Sequence, residues 1–343
     1  MCIDCGKCLS KCPVLKNGCP EKRIGTPSVY AAWAKDDTLR SQSASGGAFI
    51  ALAQYYMGLG WLVWGAVSEG FTVHHVCADD MSGLHRMQGS KYVLGDMTGV
   101  YATVASQLRQ GKSVLFSGLP CQCAAMRLAA EGISNGGQLI LVDLVCGGVP
   151  SREPCDIYRR AHPNVETVIS YRDKKGGWKS RGFRYRLRVR DTAGLEIDEG
   201  PFNALTFGFA SEIFRRNSCT ECLFAGDGRC SDITIGDFWG ISDYPSEHPN
   251  GISCVVANTA FGERAIAEVT GLVAHRKDYA SLKKGNPRIE RSCSKVCGLR
   301  FKRFVFRAFF RVRAIMPLPT ILLRGTFKAI NVFCSPLKRR RGV

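Results

Sequence analysis

The chain has 343 residues, and its apolar content of 45% is enough to bury a sizeable core in one large or two medium globular domains. Its formal net charge is +18, but twelve Lys and Arg side chains and no acidic ones lie between Leu299 and Val343, so the rest of the chain is only mildly basic. The sequence shows no secretory signal pattern and no apolar run long enough to span a membrane, which predicts a cytoplasmic protein.

The first predicted element is the cysteine-rich segment MCIDCGKCLSKCP, whose four cysteines are Cys2, Cys5, Cys8 and Cys12. Their C-x2-C-x2-C-x3-C-P spacing is typical of bacterial ferredoxins, in which it directs successive thiolates at a 4Fe–4S cluster. The fourth cysteine of such a run usually serves a second cluster, and the sequence has no second run. We therefore expect either another cysteine run encoded upstream of Met1, or a single cluster closed by Cys12 or Cys19. A zinc knuckle is the alternative.

A Ser/Gly turn at Ser45, Gly46 and Gly47 precedes the next predicted helix. The N-terminus of a helix presents unpaired backbone N–H groups that can hold an anion, although a glycine pair there is more often only a tight turn. Further along, Lys91 lies in the polar segment GSKYV, where a lysine is ordinarily a solvated surface residue.

The clearest unit is a predicted βαβ crossover, formed by SVLFSG (Ser113–Gly118), PCQCAAMRLAAEG (Pro120–Gly132) and QLILVDLVC (Gln138–Cys146). Such a crossover makes its two strands parallel, and their carboxyl ends then face the same side. Cys121 and Cys146 follow these strands, at the edge where open α/β sheets bind ligands. This unit predicts a mixed α/β fold in which the two cysteines share one site.

The second half of the chain adds another cysteine group. Cys219 and Cys222 are spaced as C-x2-C, and Cys230 follows eight residues later, which alone is three-quarters of a zinc site. Cys121 and Cys146 could supply the thiolates that this group lacks, unless these two are merely small buried apolar residues. We predict that the remaining cysteines are small buried apolar residues; they are Cys77, Cys155, Cys254, Cys293, Cys297 and Cys334.

The other predicted elements are strands at Trp61–Ser68, Thr72–Ala78, Phe183–Arg190 and Ile252–Asn258, a strand in SDITIGDFWG, and helices near Thr98–Gln110, Ala204–Arg216 and Phe261–Gly271. The strand at Phe183–Arg190 alternates apolar and arginine residues, so one face should pack and the other should face water.

Several motifs together resemble the coenzyme F420 hydrogenase/dehydrogenase beta-subunit family, from the cysteine run to about Gly271. They are SASGGAF, GSKYV, FSGLPCQCAAMR, DLVCGGVPS, YRDKKGGWK, SCTECLF and SDITIGDFWG. The resemblance implies a flavoprotein in which FAD stands between a 4Fe–4S cluster and a two-electron partner, which is coenzyme F420 in the archaeal enzymes.

Residue by residue, the resemblance implies that the core cluster is held by Cys121, Cys146, Cys219 and Cys222, and that Ser45, Gly46, Gly47 and Lys91 contact the flavin. Cys123 and Cys230 lie beside these ligands where many relatives have apolar residues, so either could substitute for one of them. The implied regions are a partial ferredoxin-like segment at 1–25, the family's N-terminal region at 26–150 and its C-terminal region at 151–298. A basic tail at 299–343 lies outside the resemblance.

These features predict an iron–sulfur flavoprotein oxidoreductase that relays electrons between an external one-electron carrier, one or two 4Fe–4S clusters, FAD and a two-electron acceptor. Its partner would be a ferredoxin-like donor or a redox subunit, and the resemblance suggests polysaccharide biosynthesis as one setting. The first alternative is a non-catalytic electron-transfer or scaffold subunit without flavin. The second is a zinc-bearing nucleic-acid binder, but the body lacks basic patches interleaved with aromatic residues, so we expect no nucleic-acid partner.

The basic tail contains the amphipathic pattern RFKRFVFRAFFRVRAIM, which predicts a helix with arginines at Arg300, Arg303, Arg307 and Arg311 along one side. Phe301, Phe304, Val305, Ala308 and Val312 cluster largely on another side. Such a helix can lie in the interface of a membrane, here its inner face, or it can pack on the body or on a partner subunit. Pro317 and Pro319 should end it, and the basic run Lys338–Arg341 follows.

Overall fold

The computed structural model describes residues 6–16, 25–134, 136–174, 177–178, 186–200, 202–291, 293, 296, 298–313 and 326. Its strands are β1 (Ser28–Ala34), β2 (Leu62–Glu69), β3 (Thr72–Ala78), β4 (Gly95–Asp96), β5 (Val114–Gly118), β6 (Leu139–Leu144), β7 (Val165–Ser170), β8 (Leu187–Asp191), β9 (Glu196–Gly200), β10 (Ile233–Asp237), β11 (Ser253–Ala257) and β12 (Leu272–Lys277).

The helices are α1 (Lys7–Ser10), α2 (Asp37–Gln42), α3 (Ala48–Gly58), α4 (Met81–Met87), α5 (Val100–Arg109), α6 (Pro120–Ala130), α7 (Glu153–Ala161), α8 (Ala204–Ala210), α9 (Asn217–Thr220), α10 (Ala260–Glu268), α11 (Tyr279–Gly285) and α12 (Leu299–Arg313). Short 3-10 turns cover Gly226–Gly228, Pro245–Asn250 and Pro287–Ile289. The predicted mixed α/β class is confirmed, because both element types alternate along the described chain.

One large mixed sheet organises the described residues, with the strand order β12-β1-β11-β10-β6-β5-β2-β3-β4. Its centre is parallel: β10, β6, β5 and β2 run in the same direction, and β5 pairs with β6 from Val114 opposite Leu139. The predicted βαβ crossover is therefore confirmed. The sheet contains strands from both predicted family regions, since β1 to β6 precede residue 150 and β10 to β12 follow it.

The central strands are apolar throughout because helices cover both faces of the sheet. All five residues of β5 are buried. Leu115 packs in the same cluster as Ile50 of α3, whereas Phe116 packs with Val104 of α5 and Met126 of α6. Alternate residues of one strand thus pack on opposite faces of the sheet. Polar and sulfur-bearing side chains lie instead at its carboxyl edge.

A small antiparallel sheet, in the order β7-β8-β9, lies beside the large one. In β8, Leu187 and Val189 are buried while Arg190 is exposed, so the predicted alternation is confirmed from residue 187 onward. Residues 183–185 of that predicted strand lie outside the described part. The helix predicted at Ala204–Arg216 was too long: α8 ends at Ala210, because Glu212 has a left-handed φ of 60° and Arg215 forms a strand-like bridge with Pro150.

The predicted tail helix is present as α12, and it packs on the body through Phe306, Phe309 and Phe310. Its opposite side leaves Phe301 and Phe304 exposed. In the described part of the chain, no helix has the length and apolar character needed to cross a lipid bilayer. Pro317, Pro319 and the run at 338–341 lie outside the described residues.

Candidate cysteine centre and adjoining cavity

Four cysteines from three separate segments meet at the carboxyl edge of the large sheet, and we call them the cysteine centre. Cys121 lies in the first turn of α6 after β5, Cys146 follows β6, and Cys219 and Cys222 lie in and just after α9. Cys121 is exposed at the surface, yet desolvation by the protein on its inner side raises the pKa of its thiol to about 12, and the nearby charges of Cys146, Cys222 and Cys219 act in the same direction. The structure therefore brings together the four cysteines that the sequence grouped.

Backbone N–H groups point at three of these thiols. Gly148 donates to Cys146 Sγ at 3.4 Å, and Val149 donates to Cys219 Sγ at 3.5 Å. Phe224 donates to the third thiol, Cys222 Sγ, at 3.4 Å. Hydrogen bonds of this kind stabilise negative charge on sulfur, and they are one of the factors that tune iron–sulfur clusters.

Gly148 makes the close approach of these segments feasible. Its φ is +91°, and a Cβ atom there would lie 3.0 Å from Cys219 Cβ and 3.1 Å from Cys293 Sγ. Any larger residue would push the α9 segment away from the loop after β6. Gly147, its neighbour, instead faces the side chain of Arg288 at ordinary contact distance.

A buried cation stands beside the centre. Arg215 is 8% exposed, and its Nε and Nη1 have no hydrogen-bond partner among the described residues. Burial lowers the pKa of Arg215, whereas the charge of Glu212, and after it those of Cys146, Cys293 and Cys219, favour the cationic form. A buried charge with unsatisfied donors is costly, so this corner of the fold suits a further anionic group among the thiols.

The donor set matches a cluster better than a single ion. Within the described residues, no group of three or more His, Cys, Asp or Glu side chains is placed to hold one metal ion. A 4Fe–4S cubane makes a different demand, because each of its four irons takes its own thiolate, and the ligand sulfurs surround the cubane instead of one atom. Four cysteines, three N–H donors and a buried arginine fit that demand.

Cys293 lies closer to the cysteine centre than the sequence predicted. Cys293 was expected to be an ordinary buried apolar residue, and it is buried, but it lies beside Gly148 and Arg215 at the rim of the centre. No spacing motif links it to the other thiols, since it comes from the far end of the chain. Cys297 and Cys334 lie outside the described residues.

The other two neighbouring cysteines are buried and donate hydrogen bonds to backbone carbonyls. Cys123 is fully buried in the core, where its thiol donates to the Val142 carbonyl at 3.7 Å. Cys230 packs against Phe224, and its thiol donates to the Gly228 carbonyl at 3.6 Å. Cys77, Cys155 and Cys254 also pack within apolar clusters, as expected.

The predicted ligands of the N-terminal cluster are only partly described. Cys2, Cys5 and Cys19 lie outside the described residues, and only the backbone of Cys8 is described, within α1. Cys12 follows α1 and is partly exposed. The intervening Lys11 forms an ion pair of 2.9 Å with Glu131, at the carboxyl end of α6. This contact brings the N-terminal segment to the helix whose first turn carries Cys121.

A cavity of about 710 Å³ opens on the same edge of the sheet. Its wall includes Ser43, Ser68, Lys91, Tyr171, Arg172 and Lys174. This volume is within the usual range of small-molecule and cofactor sites. Because several lining side chains are cationic, the cavity suits a ligand that carries negative charge.

Lys91 lines the cavity, and its side chain is also hydrogen-bonded to the carboxyl end of α4. Its ammonium donates to the carbonyls of Met87 and Gln88, each at 2.8 Å, at the carboxyl end of α4. Desolvation lowers the pKa of Lys91 to about 7, whereas these carbonyls favour the charged form. Within the described residues no carboxylate pairs with Lys91, but its ammonium already donates to four backbone carbonyls, those of Arg86, Met87, Gln88 and Gly89.

The Ser/Gly turn lies next to the cavity but does not line it. A Cβ on Gly46 would come within 2.5 Å of the Ala32 carbonyl oxygen, and Gly47 has a φ of +84°, so both glycines are required by packing and turn geometry. Lys174 donates to the Ser45 carbonyl at 3.0 Å. Ser45, Gly46 and Gly47 are therefore not part of the cavity wall, whereas Ser43, two residues before the turn, is.

Two buried hydroxyl groups lie side by side in the cavity wall. In the described part of the chain neither Tyr171 Oη nor Ser68 Oγ makes a hydrogen bond of normal geometry, and the only interaction between them is a weaker one in which Ser68 acts to lower the pKa of Tyr171. The side chain of Tyr171 has a relative exposure of only 2%. Unsatisfied buried groups of this kind mark a place where a ligand can supply the missing hydrogen bonds.

An aromatic column, formed by Tyr171, Tyr92 and Phe209, connects the cavity with the cysteine centre. The rings of Tyr171 and Tyr92 are 6.0 Å apart, and Tyr92 stacks on Phe209 at 3.8 Å with an interplanar angle of 10°. The guanidinium of Arg215 lies over the other end, 4.2 Å from the Phe209 ring centre. Tyr92 lies in the GSKYV motif and Tyr171 begins the YRDKKGGWK motif, but nothing in the sequence indicated that their rings meet each other and Phe209.

Residues 111–278 match a family model that describes the C terminus of the beta subunit of coenzyme F420 hydrogenase/dehydrogenase. A chain of the xenon-derivatised F420-reducing NiFe hydrogenase complex from Methanosarcina barkeri has a similar fold, with a TM-score of 0.51 and 16% sequence identity. That match covers 78% of this chain and 89% of the other. No curated protein sequence matches the chain.

Proposed function

Residues 111–278 of this chain belong to the family formed by the C-terminal part of coenzyme F420 hydrogenase/dehydrogenase beta subunits, and on this basis we propose that the protein is an iron–sulfur flavoprotein oxidoreductase. It relays electrons between an external one-electron carrier and a two-electron acceptor, through a 4Fe–4S cluster and FAD. The observation that carries this proposal is the convergence of four cysteines beside a buried arginine, next to a cationic cavity.

Cys121, Cys146, Cys219 and Cys222 would hold the cluster. When bound, the cluster supplies one-electron transfer and the flavin links it to two-electron chemistry. The chain's own contribution is to fix the four thiols by short loops and by backbone N–H donors. Arg215 supplies a positive charge on the inner side.

FAD would occupy the cavity. Its wall includes Arg86, Arg172 and Arg188, whose positive charge suits a pyrophosphate. Lys91 and Lys174 also lie in the wall, although backbone carbonyls already accept hydrogen bonds from both ammonium groups. Tyr171 and Ser68 offer hydroxyl groups to the same ligand. Ser45, Gly46 and Gly47 would act indirectly, since their turn positions Ser43 in the wall. Coenzyme F420 is one candidate for the two-electron partner, as in the complex named above.

A second cluster on the N-terminal segment would deliver electrons from outside. The ion pair between Lys11 and Glu131 joins this segment to the carboxyl end of α6, and Cys121 lies in the first turn of the same helix. An 11-residue helix is about 16 Å long, so the two ends are a short distance apart.

The partners would be a ferredoxin-like donor or a redox subunit, in the cytoplasm. The exposed Phe301 and Phe304 of α12 support a peripheral contact with the inner face of the membrane. A role in polysaccharide biosynthesis is suggested by the family resemblance alone.

The test is anaerobic purification of the full chain, followed by measurement of iron, acid-labile sulfide, zinc and released flavin. We expect about four iron and four sulfide per cluster, together with FAD. Iron and sulfide without flavin would favour a non-catalytic electron-transfer subunit. Zinc without iron or sulfide would reject the oxidoreductase and favour a zinc protein.

A further inference from the structure

We propose that Arg215 is the counter-cation of the cysteine centre and raises the reduction potential of its cluster. This inference rests on the proposed function, because it requires an iron–sulfur cluster among Cys121, Cys146, Cys219 and Cys222. It concerns a residue outside every cysteine motif, and it assigns that residue a positioning and electrostatic role.

The first support is the unsatisfied state of the guanidinium. The side chain is 8% exposed, and two of its nitrogen atoms, Nε and Nη1, have no hydrogen-bond partner within the described residues. Other buried arginines at this edge are paired: Arg229 meets Asp143 at 2.9 Å, and Arg172 meets Asp237 at 2.6 Å. The nearest described anion, Glu212, acts on Arg215 through its charge but forms its ion pair with Arg288, so Nε and Nη1 of Arg215 remain for a further acceptor.

The second support is its position. Arg215 Cδ lies 3.1 Å from the point where a Cβ on Gly148 would stand, and Cys219 Cβ lies 3.0 Å from the same point. Gly148 is also the donor to Cys146 Sγ. The guanidinium thus belongs to the same tightly packed corner as two of the four thiols.

The third support is the contact of the guanidinium with an aromatic ring. Its central carbon lies 4.2 Å from the centre of the Phe209 ring, and Phe209 stacks in turn on Tyr92 at 3.8 Å. A planar, delocalised cation is suited to such a stack, whereas the ammonium group of a lysine is not planar. The contact with Phe209 therefore restricts where the charge can lie.

The consequence is electrostatic. A 4Fe–4S cluster with four thiolates is an anion, and reduction adds one more negative charge to it. A fixed cation nearby stabilises the reduced form more than the oxidised form, so it shifts the reduction equilibrium toward the reduced cluster. Burial strengthens this effect because little water screens it.

The test is an EPR-monitored redox titration of the purified full chain, reduced with dithionite, in the wild type and in three variants. Arg215→Gln removes the charge and should shift the reduction equilibrium at least tenfold toward the oxidised cluster, which is about 59 mV for a one-electron couple. Arg215→Lys restores a charge without the planar stack and should give a smaller shift. Phe209→Leu removes the stacking surface and should also shift the midpoint in the same direction. Iron and sulfide content are measured in parallel.

Arg216→Gln is the matched control, since it makes the same change one residue along, at an exposed position. It should leave the midpoint unchanged, because solvent and salt screen that charge. If Arg215→Gln loses its cluster, the reduction midpoints of Arg215→Lys and Phe209→Leu test the role of Arg215 instead. A loaded wild type whose midpoint none of the three variants alters would overturn the role of Arg215 alone. A wild type without iron and sulfide would overturn both this role and the proposed function.

Discussion

Asp143 and Arg229 form an ion pair of 2.9 Å in which both side chains are completely buried. Asp143 lies in β6, three residues before Cys146, and Arg229 follows Cys222 on the loop that leads to β10. Arg229 also donates to the Leu144 carbonyl at 3.2 Å. The ion pair therefore holds the segment that carries Cys146 and the loop after Cys222 together at the carboxyl end of β6.

Breaking this pair should be strongly destabilising. Burial alone raises the pKa of Asp143, and Arg229 opposes that effect, so Arg229→Met leaves a buried carboxyl without its partner. We expect a loss of about 3–5 kcal/mol in the free energy of unfolding, measured by anaerobic chemical denaturation. Adding Asp143→Leu to Arg229→Met should recover part of this loss, because the unpaired carboxyl is then absent. Equal stability of Arg229→Met and the wild type would contradict the role assigned to the pair.

The four cysteines of the centre should be needed for iron. Replacement of any one by Ser, at Cys121, Cys146, Cys219 or Cys222, should lower bound iron and the visible absorbance, because a cubane that lacks one thiolate is labile. Cys254→Ser is the control, since Cys254 is a fully buried cysteine on β11 that packs in an apolar cluster. Wild-type iron content in all four variants would reject the ligand assignment.

Tyr171→Phe should weaken flavin binding without unfolding the protein. The hydroxyl group of Tyr171 makes no hydrogen bond of normal geometry in the described residues, so its removal leaves no described protein group unpaired. One lost hydrogen bond to the ligand corresponds to about a threefold to tenfold fall in FAD affinity. Tyr158→Phe is the matched control, a buried tyrosine in the core cluster that packs with Phe306. Titration of the apoprotein with FAD, followed by flavin fluorescence, measures both; equal affinities would place the flavin elsewhere.

The cost of protonating the buried His75 should make the folded protein less stable in mild acid. Its Nε2 lies 3.1 Å from the Ser117 carbonyl oxygen, and burial lowers the pKa of His75 to about 4 from 6.5. In the unfolded chain the imidazole binds a proton near pH 6.5, but in the folded protein it does so only near pH 4. The stabilising contribution of the neutral form is thus complete above pH 6.5 and is lost as the pH falls from 6.5 to 4, by about 3 kcal/mol.

His75→Leu should flatten this part of the profile of stability against pH, as measured by denaturation at several pH values. His85→Gln, at an exposed position, should leave the slope unchanged. An identical slope in His75→Leu and the wild type would show that other groups control the acid response.

The exposed side of α12 should bind anionic vesicles. Phe301 is 56% exposed and Phe304 is 63% exposed, whereas Phe306 is buried, so deletion of the whole helix would also uncover the core. The sharper change is Phe301→Ser with Phe304→Ser, which should lower binding to phosphatidylserine vesicles by about tenfold or more. Leu195→Ser, at an equally exposed site on another surface, is the control. Co-sedimentation that is equal in all forms, or absent in all, would reject the membrane contact.

Local spacing carried much of the fold prediction. The crossover from Ser113 to Cys146, the strand at Thr72–Ala78 and the helix in the tail were predicted because hydrophobic periodicity reports which faces are buried. Helix ends were less well predicted: the helix from Ala204 stops at Ala210, because the next residues turn to form a bridge with Pro150. That bridge is a tertiary contact, and no local pattern encodes it.

The proximity of Cys121 and Cys146 follows from the amino-acid sequence alone, because the carboxyl ends of parallel strands must share one edge of the sheet. Cys219 and Cys222 were added to them by their C-x2-C spacing and by the family resemblance. What surrounds those cysteines became visible only in the folded molecule. Arg215, Cys293 and the aromatic column from Tyr171 to Phe209 come from segments with no common motif, and they meet only after the chain has folded. Which charges and rings stand beside a site depends on the packing of residues distant in sequence, and such packing leaves no periodicity or spacing in the chain itself.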